Sequence, residues 1–242
     1  MKQKDEIFNS PLDDMVDFKF DEKVANVFED MIQRSIPGYS LIISMIGMFT
    51  KLYAKPNTNC YDLGSSLGAS ALSMRRNIVG ENIKIIAVDN SEAMIKRSEE
   101  IFRKDKSDVR VEFINNGIDN VEIVDASVVI LNFTMQFIPL AKRQTLLEKI
   151  YNGLIKGGVL ILSEKISFED ADLEARQIKH YYDFKRLNGY SDLEISRKRE
   201  ALENVLVPET INDHFARINA AGFTTCELWY QTFNFASMIA KK

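Results

Sequence analysis

The chain has 242 residues, of which 45% are hydrophobic and 27% charged, so it can bury a sizeable core as one α/β domain. Its net charge is −4, and its densest basic run, Arg197-Lys198-Arg199, is too small to make a docking surface for nucleic acid. The most apolar window, residues 39–53, is too short and too polar for a membrane span, and residues 1–20 lack the apolar core of a signal peptide. We therefore expect a cytoplasmic protein that does not engage membranes and binds no nucleic acid tightly.

Residue types that commonly hold metals or perform redox chemistry are scarce. Cys60 and Cys226 lie far apart, neither belongs to a CxxC motif, and both are typical of half-buried strand residues. The sequence contains no HExxH motif and no carboxylate cluster, so no metal site is predicted. The two histidines, His180 and His214, lack a partner acid and nucleophile in a known order, which favours interhelical or surface positions.

The first 55 residues predict a helical extension. Asp21 is typical of a helix start, and apolar residues at 24, 27, 28, 31 and 32 form one buried stripe. Pro37-Gly38 ends this helix, and a second helix is predicted from about Ser40 to Ala54.

From residue 60 onward, strand patterns alternate with helix patterns. The predicted strands are Cys60–Leu63, Lys84–Val88, Val109–Ile114, Ala126–Phe133 and Val159–Ser163. The first predicted helix follows the Gly/Ser turn after Leu63 and continues through Arg76, and the second runs from Ser91 to about Arg103. The third runs from about Ala141 to Leu154 and is predicted to stop at Lys156-Gly157-Gly158. This alternation implies parallel pairing and a doubly wound sheet.

The alternation is interrupted by a charged helical stretch over residues 168–207, which we interpret as an insertion covering the carboxyl edge of the sheet. A helix over residues 210–221 follows, and the runs 226–231 and 235–240 can form an antiparallel hairpin. Residues 1–242 therefore predict a single α/β domain with a Rossmann-like class I methyltransferase fold. Its sheet would be seven-stranded and mostly parallel, with an antiparallel last strand.

The sharpest motif is Tyr61-Asp-Leu-Gly-Ser-Ser-Leu-Gly68, where the first strand turns into its helix. Gly64 would let the backbone approach a ligand closely, and Gly68 would allow tight entry into the helix. A dinucleotide site would read GxGxxG, whereas these glycines read GxxxG and Asp62 lies two residues ahead. That arrangement fits an adenosyl sulfonium, such as S-adenosylmethionine, better than a pyrophosphate. An ordinary tight strand–helix turn is the alternative.

Polar residues end two further strands. Asp89 lies 25 residues beyond Gly64, and an acid there can accept hydrogen bonds from both ribose hydroxyls of an adenosyl ligand. Asn90 is placed to touch the same ribose or the adenine edge. Alone, Asp-Asn-Ser is more often a helix cap, but the glycine turn at this separation favours ligand binding. Asn132, at the end of the fourth strand, points into the same crevice unless it only satisfies loop backbone.

Further stretches complete a pattern that covers almost the whole chain. They are Pro37-Gly-Tyr-Ser40, Val129-Ile-Leu-Asn-Phe-Thr134 with Gln136-Phe137, Leu162-Ser-Glu-Lys165, Asp183-Phe-Lys-Arg186, Asn188-Gly-Tyr-Ser191, Leu193-Glu-Ile-Ser196, Lys198-Arg199, Leu202-Glu-Asn-Val205 and Phe233-Asn-Phe235. With the two motifs above, the chain resembles the bacterial carboxy-S-adenosyl-L-methionine synthases. A generic methyltransferase would share only the first turn and the Asp89 strand end.

The resemblance implies a transferase that converts S-adenosylmethionine and prephenate into carboxy-S-adenosylmethionine and phenylpyruvate. The product would serve a tRNA carboxymethyltransferase that acts on 5-hydroxyuridine at the wobble position. A homodimer is also implied. Prephenate aromatises as it loses carbon dioxide, and the sulfonium acidifies the methyl group that would capture it.

The resemblance also assigns site residues by position. The implied ligand-binding residues are Tyr39, Gly64, Ser65, Ser66, Asp89, Asn90, Gly117, Ile118, Asn132 and Arg199. Arg199 is the residue implied in the catalytic step, as the bidentate partner of the product's added carboxylate. Without the resemblance, it would be a solvated charge on a helix.

One position departs from the family pattern. The family usually has an acid followed by Ile after the third strand, whereas this chain reads Asn116-Gly117-Ile118. Backbone contacts from Gly117 and Ile118 are expected to remain, but a carboxylate contact to the adenine amino group is lost, at a cost of about 1–2 kcal/mol. Asn116 and Asp119 are the candidates to replace it.

Two other functions remain open at this point. An ordinary methyltransferase acting on a small anionic substrate would share the fold and the cofactor. A non-catalytic partner in tRNA modification would store or deliver the ligand without turning over prephenate.

Overall fold

A computed structural model describes residues 4–8, 20–203 and 205–242. Within them, seven strands form one sheet in the order β3-β2-β1-β4-β5-β7-β6. The strands are β1 (Asn59–Leu63), β2 (Lys84–Asp89), β3 (Arg110–Asn115), β4 (Ala126–Asn132), β5 (Leu154–Lys165), β6 (Thr225–Thr232) and β7 (Phe235–Lys241). Residues 1–3, 9–19 and 204, which include parts of the predicted extension and insertion, lie outside this description.

Strand pairing follows the predicted plan. The first five strands pair in parallel. The last strand, β7, runs antiparallel to both of its neighbours, β5 and β6, so the hairpin inserts its second strand into the sheet and leaves its first at the edge. The mostly parallel sheet with a reversed last strand is confirmed. Its four central strands β1, β2, β4 and β5 are almost wholly buried because helices cover both faces.

The helices of the described residues divide between the two faces and the carboxyl edge of the sheet. They are α1 (Glu22–Ser35), α2 (Tyr39–Tyr53), α3 (Ala69–Asn77), α4 (Glu92–Phe102), α5 (Leu140–Gly153), α6 (Ala171–Leu187), α7 (Asp192–Leu202) and α8 (Ile211–Ala220). One core packs α5 and α8 on the sheet, and another packs α2 and α3 on its opposite face.

One predicted boundary is wrong. Helix α5 ends at Gly153, and Lys156-Gly157-Gly158 lies inside strand β5 instead of stopping the helix. A β-carbon at Gly153 would lie 2.2 Å from the Ile123 carbonyl oxygen, so the backbones approach closely at this point. Gly157, with φ +79°, belongs to an irregular start of β5, where the register with β4 shifts.

The helices near the carboxyl edge begin with polar caps that the sequence supplies. The Asp21 side chain accepts a hydrogen bond from the Val24 backbone N–H at 3.0 Å, which starts α1. Ser191 and Glu194 form a reciprocal capping box at the start of α7. Both α6 and α7 lie within the predicted insertion.

Two negative findings apply to the described residues alone. No helix among them is long and apolar enough to cross a membrane. In the same part of the chain, no three side chains of His, Cys, Asp or Glu are grouped so that they could hold a metal ion.

Candidate ligand-binding site

Two recesses open at the carboxyl ends of the parallel strands, where ligands of open α/β sheets bind. The first, of about 370 Å³, reaches from Asp89 and Asn90 at the end of β2 to α1, α6 and α7. The second, of about 360 Å³, reaches from Ser65 to Tyr39 at the start of α2. Both recesses share Gly64, Ser66 and Asn132, so we treat them as the adenosyl recess and the α2 recess of one site.

The structure gathers all but one of the sequence-predicted binding residues around these recesses. Those that line them are Tyr39, Gly64, Ser65, Ser66, Asp89, Asn90, Gly117, Ile118 and Asn132. They come from the ends of β1, β2, β3 and β4 and from the start of α2, so they are remote in sequence but adjacent in space. Arg199 is the exception.

The turn between β1 and α3 is tightly built. The backbone N–H groups of Gly64 and Ser65 donate to the Val88 carbonyl oxygen at 2.8 and 2.9 Å. Gly64 has φ +79°, and a β-carbon there would lie 2.4 Å from the Thr134 side chain. A side chain at this position would therefore be strained and would clash, which explains the glycine.

Asp89 is held by the same turn. Its Oδ2 accepts the Ser66 N–H at 2.8 Å, and its Oδ1 accepts the Ser91 N–H at 2.9 Å. The pKa of this carboxyl is raised overall, because the effect of burial exceeds the lowering effect of those two hydrogen bonds. The cap of α4 is Ser91 and not Asp89, since the Ser91 side chain accepts the Met94 N–H. Each carboxylate oxygen retains a further lone pair with which it could accept a ribose hydroxyl.

Asp62 lies below the turn and does not line either recess. Its Oδ2 accepts the Ala71 N–H at 2.9 Å and so anchors the first turn of α3. Burial, with a smaller contribution from the charge of Asp89, raises its pKa to about 7 against the lowering effect of the Ala71 hydrogen bond. Burial, followed by the charges of Asp62 and Glu29, also raises the pKa of Tyr39, so this phenol stays neutral and can donate a hydrogen bond.

Two buried polar atoms in the α2 recess have no hydrogen-bond partner among the described residues. They are Asn132 Oδ1 and Ser65 Oγ. Asn132 is oriented by its Nδ2, which donates to Ser70 Oγ at 3.3 Å. Buried polar groups are normally paired, so an acceptor and a hydroxyl left in this state fit a ligand that carries an amino group and a carboxylate. The α2 recess therefore suits the amino-acid tail of S-adenosylmethionine.

The residues after β3 occupy the other end of the adenosyl recess. Asn116 Oδ1 accepts the Gly117 N–H at 2.8 Å and the Asn120 Nδ2 at 3.1 Å, so it is already engaged within its own loop. Asp119 lines the recess, although its carboxylate also pairs with Lys142 at 2.9 Å. Of Asn116 and Asp119, the two candidates to contact the adenine amino group in place of the family's acid, only Asp119 brings a carboxylate to this end of the recess.

Arg199 does not reach either recess in the single chain. It is exposed near the end of α7, whereas its neighbour Lys198 is buried and lines the adenosyl recess. One residue along a helix turns the side chain by about 100°, and Ile195, Lys198 and Leu202 form the inward stripe. Arg199 therefore faces solvent, and its assignment stays a prediction.

Sequence reasoning missed two cations of the site. Lys165, at the end of β5, and Lys198 both line the adenosyl recess. The spacing of Ile195, Lys198 and Leu202 at i, i+3 and i+7 was the available signal, because it places Lys198 on the buried stripe of its helix. Lys165 had the same signal as Asp89 and Asn132, since it ends a buried parallel strand.

Comparison with known proteins agrees with this geometry. A family model described as a methyltransferase domain matches residues 61–158. Human N-acetylserotonin methyltransferase in complex with S-adenosylmethionine is similar with a TM-score of 0.62 and 16% identity, over 91% of this chain and 55% of that chain. A cyclopropane synthase from Mycobacterium tuberculosis is similar with a TM-score of 0.57 and 14% identity, over 77% of this chain and 62% of that chain. At these identities the likeness concerns the fold, and it confirms the class I methyltransferase architecture.

Curated relatives match far more closely. The carboxy-S-adenosyl-L-methionine synthase of Aliivibrio fischeri is 56% identical over 242 residues, with 100% of both chains covered. Those of a Geobacter species and of Escherichia coli are 54% and 52% identical over all of this chain and over 99% and 98% of their own. The predicted family is thereby confirmed: the chain belongs to the carboxy-S-adenosyl-L-methionine synthases.

Proposed function

We propose that the protein converts S-adenosylmethionine and prephenate into carboxy-S-adenosylmethionine and phenylpyruvate. The observation that carries this proposal is the full-length match, at 52–56% identity, to relatives that bear the synthase name. The site supports it because an adenosyl recess and a recess for an amino-acid tail meet at the Gly64 turn. The whole of residues 1–242 would act as one unit, with described residues of the 1–55 extension and of the 168–207 insertion forming walls of the site.

Each group of residues has a role in this proposal. Asp89 and Asn90 bind the ribose, while the backbone of Gly117 and Ile118 meets the adenine. Tyr39, Ser65 and Asn132 hold the methionine part, and Gly64 and Ser66 shape the turn beneath it. The unpaired Asn132 Oδ1 and Ser65 Oγ support the binding of the methionine part at this position, because a ligand would satisfy both atoms.

The overall reaction balances without a further co-reactant. Prephenate loses carbon dioxide and its ring hydroxyl, and its ring becomes aromatic. The sulfonium methyl group loses a proton and gains the carbon dioxide, while the proton and the hydroxyl leave together as water. S-adenosylmethionine supplies the acidified carbon, and the protein supplies orientation and exclusion of water.

The lining of the adenosyl recess suits that task. It is largely apolar and includes Phe20, Phe28, Phe133, Phe137 and Phe235. The rings of Phe20 and Phe137 pack edge to face with centroids 5.5 Å apart. An apolar wall of this kind excludes bulk water from free carbon dioxide and accepts an aromatic product ring.

We expect wild-type protein given S-adenosylmethionine and prephenate to form an adenosyl product heavier by one carbon dioxide, together with phenylpyruvate. Mass spectrometry of the mixture, and of any ligand that co-purifies with the protein, measures both. Prephenate labelled with ¹³C in its ring carboxylate should transfer the label to the adenosyl product. An ordinary methyltransferase would instead form S-adenosylhomocysteine, and a protein that only stores the ligand would leave prephenate unchanged.

The cellular setting is part of the same proposal. We place the protein in the cytoplasm as a homodimer that delivers carboxy-S-adenosylmethionine to a tRNA carboxymethyltransferase. It would not hold the tRNA itself, since its net charge is −4 and its densest basic run is three residues long.

Direct binding of tRNA is therefore expected to be weak. With a net charge of −4, we expect a dissociation constant in the micromolar range or weaker at roughly 150 mM salt. Fluorescence anisotropy with labelled tRNA, repeated over a salt titration, measures it. Sub-micromolar binding that survives increasing salt would contradict the expectation.

A further inference from the structure

Three lysines, two of them buried and one half-buried, lie together beside the adenosyl recess. Lys165 ends β5, Lys185 lies on α6 and Lys198 on α7; Lys185 and Lys198 are only 3% and 5% exposed. The Nζ atoms of Lys165 and Lys185 lie 5.6 and 5.2 Å from the ring centre of Tyr181. Those of Lys185 and Lys198 lie 5.5 and 5.4 Å from that of Tyr190. The two tyrosine rings therefore connect the three ammonium groups into one cluster, which we call the lysine cluster.

The lysine cluster opens onto the recess through two of its members. Lys165, Lys198 and Tyr181 line the recess, whereas Lys185 lies behind them. Lys198 Nζ donates to Ser35 Oγ at 2.9 Å and lies 3.9 Å from an Asp5 carboxylate oxygen. Lys165 Nζ forms no ion pair with the residues that the structure describes.

Among the described residues, only Lys198 of the cluster forms an ion pair, and the acids around the cluster also bind other donors. The Asp5 carboxylate also accepts the Tyr190 hydroxyl at 2.6 Å, and Asp30 pairs with a further cation, Arg34, at 3.2 Å. Glu194 accepts the Ser191 N–H and hydroxyl, both at 2.7 Å. Glu174, on the Lys165 side, accepts the Phe168 N–H at 2.9 Å.

Burying a cation is costly, and this cost lowers the pKa values of these lysines. Burial, with repulsion from the neighbouring lysines, lowers the pKa of Lys185 to about 7. Burial also lowers the pKa of Lys198 to about 8, against the opposing effect of Asp5. An anion in the recess would restore the charged form, because an opposite charge at short range favours ionisation. The site is thus prepared for a ligand that brings negative charge.

We propose that Lys165 and Lys198 bind the two carboxylates of the second substrate. This inference rests on the proposed function and deepens it, because prephenate is a dicarboxylate. Two ammonium groups on separate elements, β5 and α7, can each hold one carboxylate and so fix the orientation of the ring. The aromatic lining described above then surrounds the ring itself.

The test removes each charge while keeping the length and apolar volume of the side chain. The variants are Lys165→Met and Lys198→Met, and the matched control is Lys179→Met, because Lys179 is an exposed lysine on α6. Prephenate is titrated calorimetrically into each protein loaded with S-adenosylhomocysteine, which lacks the reacting methyl group and so prevents turnover. The affinity for S-adenosylmethionine is measured in parallel, and kcat and KM for prephenate are measured by mass spectrometry.

For each variant, we expect the dissociation constant of prephenate to rise about 10- to 100-fold, as for loss of a charged hydrogen bond. The affinity for S-adenosylmethionine should change less than about twofold, and Lys179→Met should match wild type. Phenylpyruvate, which has one carboxylate, should bind wild type more weakly than prephenate, and Lys165→Met should reduce that difference. Lys165→Arg should recover part of the lost affinity, because it restores a cation.

The outcomes separate this inference from the proposed function. Unchanged prephenate affinity in both folded variants would overturn the lysine assignment while carboxy-S-adenosylmethionine formation by wild type still stood. Equal losses for prephenate and S-adenosylmethionine would also overturn it, because the lysines would then hold the adenosyl ligand. Wild type that binds prephenate through both lysines but forms no carboxylated product would refute the proposed function alone. If Lys198→Met does not fold, Lys165→Met and the phenylpyruvate comparison decide.

Discussion

Replacing Asp89 with alanine is expected to weaken S-adenosylmethionine binding by roughly 150-fold or more, about 3 kcal/mol. The carboxylate lies at the carboxyl end of β2, lines the adenosyl recess and is only 8% exposed. Two ribose hydroxyls would each donate to a charged acceptor there, and charged hydrogen bonds are the stronger kind. Calorimetric titration of S-adenosylmethionine measures the loss.

Asp89 also organises the turn, and the experiment has to separate the two roles. Its oxygens accept the N–H groups of Ser66 and Ser91, so the variant will lose some stability. Asp89→Asn keeps one carbonyl acceptor and should be less destabilised, yet it should still lose most of the affinity. Asp105→Ala is the matched control, because Asp105 also accepts a backbone N–H, from Ser107, outside the candidate site. Unchanged affinity in a folded Asp89 variant would remove Asp89 from the site.

Replacing Arg199 is expected to impair the carboxylated ligand selectively. If it pairs with the product's added carboxylate, Arg199→Ala should weaken carboxy-S-adenosylmethionine by about 30- to 150-fold, or 2–3 kcal/mol. S-adenosylmethionine lacks that carboxylate and should lose much less. Arg199→Lys keeps the charge but not the planar fork, so it should also be impaired. Paired calorimetric titrations of both ligands measure the difference. Equal losses for both ligands would assign Arg199 to their shared part or to the fold, and no loss would leave it a surface charge.

The exposed position of Arg199 adds a second test. In the proposed homodimer, the arginine of one protomer could serve the site of the other. Mixing an Arg199→Ala protomer with an Asp89→Ala protomer then restores one complete site per mixed dimer, and activity recovers. If Arg199 serves its own protomer, neither site in the mixed dimer is complete and no activity returns.

The sequence by itself determined the sheet and the adenosyl end of the site. Parallel strand direction follows from short apolar runs alternating with helix patterns, and Gly64, Asp89 and Asn132 sit at predictable strand ends. These features are local, because each depends on residues a few positions apart. The position of Gly153 at the end of α5 was not predictable in the same way, since its reason is the closeness of the Ile123 backbone.

The tertiary structure decided how the cationic end of the site is assembled. Lys165, Lys185 and Lys198 come from three separate elements, and Asp5 meets Tyr190 across 185 positions of sequence. A charge pattern along the chain carries no information about which charges share a buried space, because that depends on how α6 and α7 pack over the sheet. The same packing turned Lys198 inward and Arg199 outward, although the two are adjacent in sequence. A helix rotates each successive side chain by about 100°, so the spacing of Ile195, Lys198 and Leu202 indicates the buried stripe of α7. Contacts with the rest of the fold determine that this stripe meets the ligand recess.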